Sequence, residues 1–214
     1  SAKENKYVTL NEYVAAMGEE QKYIYYANGE SRAHLAQLPQ CRQVRDRGYD
    51  VLMLTDEVDE FVVQILQNHQ DKPFRSITAE DLGLNTADED KALEETAEKC
   101  KPVLEFVKAQ LGDRVKEVRL GKNLGDCAVS LVPDGSLSFE MEKYFARVQP
   151  ENAPKAGRIL ELNPSHDVFA ALQVAMAKEP DKAIKYAELL YDQALLIAGL
   201  PLEDPSAYTT LVCS

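Results

Sequence analysis

The chain has 214 residues, of which 45% are hydrophobic and 28% are charged, and its formal net charge is -12. This composition is typical of a soluble globular protein with one large or two small domains. The negative charge argues against nucleic acid and anionic membranes as partners. No apolar stretch is long enough to span a bilayer and the N-terminus lacks the apolar core of a signal peptide, so a cytoplasmic location is expected. The scattered cysteines and histidines favour neither a disulfide framework nor a metal site.

The first part of the chain alternates predicted helices and short strands. Thr9 and Glu12 have the spacing of a capping box at the start of a first helix. Apolar and β-branched runs predict strands, and capped periodic segments between them predict further helices. The strands are predicted at 23–26, 50–54 and 74–77, and the helices at 10–17, 31–38, 40–47 and 58–67. This alternation indicates a small α/β layer with parallel strands.

An acidic stretch with few apolar residues, 81–90, predicts a domain boundary. We therefore expect two domains, 1–86 and 87–214. The second is predicted to be α+β, with a small sheet and several helices. Its helices are predicted at 89–111, 137–148 and 168–178, and its strands at 115–120, 127–132 and 158–162. The first two of these strands are expected to pair with each other, and Pro102 is expected to kink or break the long helix.

The end of the chain predicts a helix over 182–199 that is apolar around most of its circumference. Only Lys185, Glu188 and Asp192 form a narrow polar strip. A helix of this kind must be covered on several sides. Asp204 and Pro205 then start a short last helix, which carries further apolar residues. The rest of the same domain or a second copy of the chain could cover these helices, and periodicity alone leaves both open.

Two stretches could carry catalytic chemistry. Asp56 and Asp59 follow an apolar strand, where carboxylates often hold a metal or a ribose. No glycine-rich phosphate loop precedes that strand, so we favour a role for Asp56 as a helix cap and for Asp59 beside the helix dipole. Cys127 could be a nucleophile, but no histidine is near it in sequence and it begins an apolar strand, so a structural role is favoured.

The predicted helix 137–148 is amphipathic. Its apolar residues share one stripe at helical spacing: Leu137, Met141, Tyr144, Phe145 and Val148. A stripe of methionine and aromatic residues can bind varied apolar partners, because methionine is flexible and polarisable. Spacing alone favours the alternative, in which the stripe packs on its own sheet.

Several segments, in the same order along nearly the whole chain, resemble the heat-shock protein 90 chaperones. They are Thr9-Leu10-Asn11-Glu12-Tyr13-Val14, Gln21-Lys22-Tyr23-Ile24-Tyr25-Tyr26, Gly48-Tyr49-Asp50-Val51-Leu52, Thr55-Asp56-Glu57-Val58-Asp59-Glu60-Phe61, Arg114-Val115-Lys116-Glu117-Val118-Arg119-Leu120 and Leu160-Glu161-Leu162-Asn163-Pro164-Ser165-His166. The segment Leu189-Leu190-Tyr191-Asp192-Gln193-Ala194-Leu195-Leu196 is similar to the bacterial HtpG type. The resemblance implies the end of the middle domain followed by the C-terminal dimerisation domain.

The resemblance also implies a function: a fragment of an ATP-dependent chaperone of the stress response, with no catalysis of its own. ATP and magnesium would act in an N-terminal domain that this chain lacks. Unfolded client proteins would bind the amphipathic helix at Leu137, Met141, Tyr144 and Phe145. A second copy would pair with the terminal helices at Leu190, Ala194, Ile197, Tyr208, Leu211 and Val212. The chain lacks the acidic C-terminal peptide that recruits tetratricopeptide co-chaperones, so that class of partner is not expected.

Two other functions remain open at this point. One is a self-contained metal-dependent α/β enzyme that uses Asp56 and Asp59. The other is a dimeric adaptor for one specific partner. Thermal stabilisation by a metal ion would be expected of the enzyme and not of the chaperone fragment.

Overall fold

The computed structural model describes residues 1–3, 6–79, 81–122, 124–135 and 137–213. These residues form two units. The first combines Ser1–Leu84 with Glu140–Lys155, and the second combines Asn85–Phe139 with Ala156–Ser214. The chain therefore leaves the second unit after Phe139 and returns to it at Ala156.

The helices and strands alternate in the first part of the chain and are mixed in the second. The helices are α1 (Leu10–Ala15), α2 (Arg32–Gln37), α3 (Pro39–Asp46), α4 (Asp59–Leu66), α5 (Ala87–Leu111), α6 (Phe139–Val148), α7 (Asp167–Lys178), α8 (Pro180–Ile197) and α9 (Pro205–Val212). The strands are β1 (Ile24–Asn28), β2 (Leu52–Leu54), β3 (Asn68–His69), β4 (Lys72–Ser76), β5 (Glu117–Leu120), β6 (Val129–Asp134) and β7 (Gly157–Leu162). This architecture confirms the predicted fold class, an α/β layer plus an α+β domain.

The first unit contains a sheet with the strand order β2-β1-β4-β3. Strand β1 runs parallel to both β2 and β4, as predicted, with Ile24 opposite Phe74. Parallel neighbours need long crossovers, which α2 with α3 and α4 supply. Strand β3 was not predicted. It pairs antiparallel with β4 through a tight turn in which Gln70 and Asp71 both adopt positive φ.

The buried hydroxyl of Tyr13 ties helix α1 to this sheet. It donates to the carbonyl of Asp50 at 2.6 Å, and it accepts from Gln21 Nε2 at 3.1 Å and from the backbone N–H of Tyr25 at 3.2 Å. Burial raises the pKa of Tyr13 well above its usual value. The hydroxyl therefore keeps its proton at neutral pH and remains able to donate.

The second unit contains a mixed sheet with the strand order β5-β7-β6. Strand β7 lies parallel to β5 and antiparallel to β6, so the predicted pairing of the first two strands is wrong. The residues 159–162 of β7 are all buried, which suits a central strand, whereas β5 alternates as an edge strand does. The buried carboxylate of Glu161 accepts from Arg119 opposite it, at 3.1 Å and 2.8 Å.

Helices α5, α7 and α8 pack together in the second unit, and α5 and α8 also contact its sheet. Helix α8 turns small side chains and one leucine inward at helical spacing: Ala183, Ala187, Leu190 and Ala194. Small side chains let α8 approach its neighbours closely. The same unit therefore covers one side of the terminal helix that the sequence predicts to be covered on several sides.

The helix ends follow the sequence closely. The capping box of Thr9 and Glu12 is present, and the carboxylate of Asp204 accepts from the backbone N–H groups of Ser206 and Ala207 at 2.9 Å.

Pro102 does not break the long helix, because α5 runs through it. Pro102 and Glu98, whose carbonyl loses its helical donor, both lie on the exposed side of α5. Water can therefore satisfy that carbonyl.

Candidate functional site

Helix α6 leaves its apolar stripe only partly buried. Met141, Tyr144 and Phe145 are partly exposed and Val148 is 57% exposed, whereas Glu142, outside the stripe, is only 8% exposed. In an ordinary surface helix the apolar stripe is buried and the charged residues are exposed. Sequence spacing alone favours a stripe that faces its own sheet, and in the structure the stripe is partly buried, with Val148 at its exposed end.

Two contacts join α6 to α4 within the first unit, and a third joins α6 to Glu57, two residues before α4. The rings of Phe61 and Tyr144 meet edge to face with their centroids 5.1 Å apart. Gln64 Nε2 lies 3.1 Å from the sulfur of Met141. Arg147 Nη1 lies 2.5 Å from Glu57 Oε1, close to the end of α6. These contacts place the stripe of α6 beside the outer face of α4.

The outer face of α4 is itself apolar, and sequence reasoning missed it. Ile65 is 81% exposed, and Val58, Val62 and Leu66 are also exposed. Their spacing of four, three and one residues places all four on one side of the helix. The signal was present in the sequence, since nearly every position from Phe61 to Leu66 is apolar, more than one buried face requires.

We call the combination of this α4 face with the exposed stripe of α6 the apolar surface. It consists of Val58, Phe61, Val62, Ile65, Leu66, Met141, Tyr144, Phe145 and Val148. Contiguous apolar patches on a protein surface are a feature of binding sites for other molecules.

Leu137, the fourth residue predicted to contact clients, has a different environment. It precedes α6 and packs against the apolar core of the second unit, beside the buried Phe139. The structure therefore brings together Met141, Tyr144 and Phe145 of the predicted set, and it places Leu137 outside the apolar surface.

The residues predicted to form a dimer interface also divide into two groups. Leu190 is 4% exposed and Ala194 is fully buried, both in the core of their own unit, and Ile197 packs partly against that core. On α9, Tyr208 and Leu211 are partly exposed and Val212 is exposed.

The outer side of α8 also carries exposed apolar side chains. On α8, Leu196 is 45% exposed. Two turns before it lies Leu189, which is partly exposed. The apolar side chains of this region that remain exposed or partly exposed are therefore mostly on α9 and on the outer side of α8.

Arg114 contacts two side chains of helix α8. Its guanidinium lies 2.5 Å from Glu188 Oε1 and 5.3 Å from the ring centroid of Tyr191. Burial, followed by the nearby carboxylates of Glu188, Glu203 and Asp204, raises the pKa of Asp192, although Arg114 acts in the opposite direction. The ionised form of Asp192 is therefore less favourable in the folded second unit than in water.

The structure does not assemble a metal site around Asp56 and Asp59. The carboxylate of Asp59 accepts from the backbone N–H of Asp56 at 3.1 Å. Val58 is the N-cap residue of α4 and makes no side-chain capping bond, so the predicted capping role of Asp56 is wrong. Within the described ranges, no group of three or more His, Cys, Asp and Glu residues is arranged to hold a metal ion. The described part of the chain also contains no helix with the length and apolarity needed to cross a membrane.

Comparison with known proteins gives consistent results. The family model described as Hsp90 protein matches residues 1–214. The chain is 44% identical over 213 residues to chaperone protein HtpG of Bacillus subtilis (strain 168), and 46% identical over 214 residues to that of Clostridium acetobutylicum. It is 44% identical over 213 residues to chaperone protein HtpG of Natranaerobius thermophilus. Each match covers 100% of this chain and 34% of the relative, so the chain spans a third of the length of these relatives.

Proposed function

Because the chain belongs to the HSP90 family of bacterial HtpG-type chaperones, we propose that it is the part of such a chaperone that binds unfolded clients and forms the dimer. The observation that supports the client-binding role is the apolar surface of α4 and α6. A folded protein gains nothing from exposing so many large apolar side chains unless another molecule covers them. An unfolded client presents the same kind of apolar side chain and can cover them.

We propose that client binding is plain hydrophobic contact, without a specific pocket. Methionine and aromatic side chains adapt to varied apolar partners, which suits clients of unrelated sequence. Each contact is weak by itself, but two copies of the surface in a dimer act on one client at high effective concentration. Affinity is therefore expected to fall when the dimer dissociates.

For the dimer, we propose an interface formed by the apolar side chains that the second unit leaves open on α8 and α9. These are Leu189, Leu196, Tyr208, Leu211 and Val212, with Ile197 at the edge. Leu190 and Ala194 act indirectly, because they hold α8 on its own core and so set the position of the outer face. Burial of the outer side chains in a second copy would remove them from water, which favours association.

ATP and magnesium are proposed to act in a different part of the whole chaperone, and no catalysis is proposed for this chain. The sequence of the chain contains no glycine-rich phosphate loop, so nothing in it supports a nucleotide site of that type. In the whole protein, we propose that an ATP-driven cycle in the cytoplasm controls when the apolar surface meets its client.

The client role can be tested by aggregation suppression with matched surface variants. Ile65→Lys removes the most exposed side chain of the apolar surface, and Val174→Lys makes the same kind of change on α7, where Val174 is 53% exposed. Both are surface changes, so each should alter stability by only about 0.5 kcal/mol. Ile65→Lys should weaken the suppression of client aggregation about tenfold, since an apolar anchor is worth about 1.5 kcal/mol.

The control decides what a loss of activity means. Val174→Lys should suppress aggregation as the wild type does. Equal suppression by both variants and the wild type would refute the apolar surface as the client site.

A further inference from the structure

In this structure α6 and α4 partly cover each other, although both belong to the proposed client-binding surface. The ring of Tyr144 lies edge to face against Phe61, and Met141 lies against Gln64. Tyr144 also stacks edge to face on Phe145, with ring centroids 5.7 Å apart. Part of the aromatic area that a client would contact is therefore occupied by contacts within the chain.

One ion pair lies at the C-terminal end of α6, beyond the contact between Tyr144 and Phe61. Arg147 Nη1 is 2.5 Å from Glu57 Oε1, and the two side chains are 56% and 57% exposed. Exposed pairs of this kind are weak, because water screens them and because two long side chains lose freedom. The pair can therefore bias the position of α6, but it cannot hold α6 irreversibly.

We propose that the Glu57–Arg147 pair is a latch that holds α6 against α4 and keeps part of the apolar surface covered until a client displaces it. The inference rests on the proposed client-binding function and adds a regulatory contact to that site. In the latched state the rings of Phe61 and Tyr144 pack against each other and cover part of each other's surface. In the released state both rings become available, so a client that binds the released state shifts the population toward it.

The latch can be tested by charge reversal, because the pair can be rebuilt in the opposite sense. Glu57→Arg and Arg147→Glu each replace attraction with repulsion, and the double variant restores an ion pair. Lys182→Glu is a matched control, since Lys182 pairs with Glu179 in a similarly exposed position on another helix.

A fluorescent reporter can be placed at the contact between α6 and α4. The chain contains no tryptophan. Phe61→Trp therefore gives a single fluorescent reporter at the contact, placed in the background of each form.

Two readouts follow the latch. Each single reversal should shift the ratio of released to latched chain by about two- to fivefold. This shift should appear as a red-shifted tryptophan emission and as stronger binding of permanently unfolded, reduced and carboxymethylated lactalbumin. The double variant should return both readouts to the wild-type values, and Lys182→Glu should leave them unchanged.

The outcomes separate this inference from the function on which it rests. If both single reversals behave as the wild type while the wild type binds the unfolded lactalbumin, the latch is refuted and the proposed function stands. If no form binds the unfolded lactalbumin, the proposed function is refuted, and the tryptophan emission still decides whether the pair holds α6 in place.

Discussion

Leu190 distinguishes a core role from an interface role within the terminal helix. Its side chain is 4% exposed in the isolated chain, so its surroundings are complete without a second copy. Leu190→Ala removes about three buried carbon atoms, worth about 2.4 kcal/mol at about 0.8 kcal/mol each. A partly collapsed cavity adds to this, giving a total of about 3 to 4 kcal/mol.

That loss should lower the melting temperature by about 6 to 16 °C in a chain of this size. Differential scanning calorimetry measures it, and sedimentation below the melting transition measures the oligomeric state. Leu196→Ala, in the same helix at 45% exposure, is the matched control and should cost far less stability. A Leu190→Ala variant that melts like the wild type but sediments as a monomer would refute the assignment of Leu190 to the core.

Three further outcomes are expected. Leu196→Lys with Val212→Lys should shift sedimentation toward the monomer while the fold remains intact, and an unchanged dimer would place the interface elsewhere. Asp192→Asn should raise the melting temperature at pH 7: the folded-state pKa of Asp192 is raised, so its ionised form destabilises the fold above that pKa. The gain should vanish below the unfolded pKa of about 3.9, and a gain that persists there has another cause. Calorimetry with ATP and magnesium should show no binding to this chain, and micromolar affinity would contradict the proposal.

Local signals predicted the helix ends and the parallel strands of the first unit well. Thr9, Glu12 and Asp204 act through hydrogen bonds to residues two or three positions away, so their roles depend little on the rest of the fold. Strand order in the second unit was predicted wrongly, because it depends on contacts distant in sequence. Adjacency in sequence suggested that β5 and β6 pair, whereas β7 lies between them and takes the central position.

The functional surfaces show a similar limit. Periodicity identified the stripe of Met141, Tyr144 and Phe145, but it could not tell whether solvent or a sheet lies against the stripe. The same uncertainty applied to α8, where Leu190 and Leu196 read alike in sequence and differ widely in burial. Which apolar face remains open depends on where the other elements pack, and no local pattern encodes that.

The most direct test of the central claim is site-specific photo-crosslinking to an unfolded client. A photoreactive side chain replaces Ile65 on the apolar surface in one form, and Val174 on α7 in another. Ile65 is 81% exposed and Val174 is 53% exposed, so both probes reach solvent. We predict a strong crosslink to reduced, carboxymethylated lactalbumin from position 65 and a weak one from position 174. Equal crosslinking from the two positions, or crosslinking from position 174 alone, would contradict the assignment of α4 and α6 as the client-binding surface.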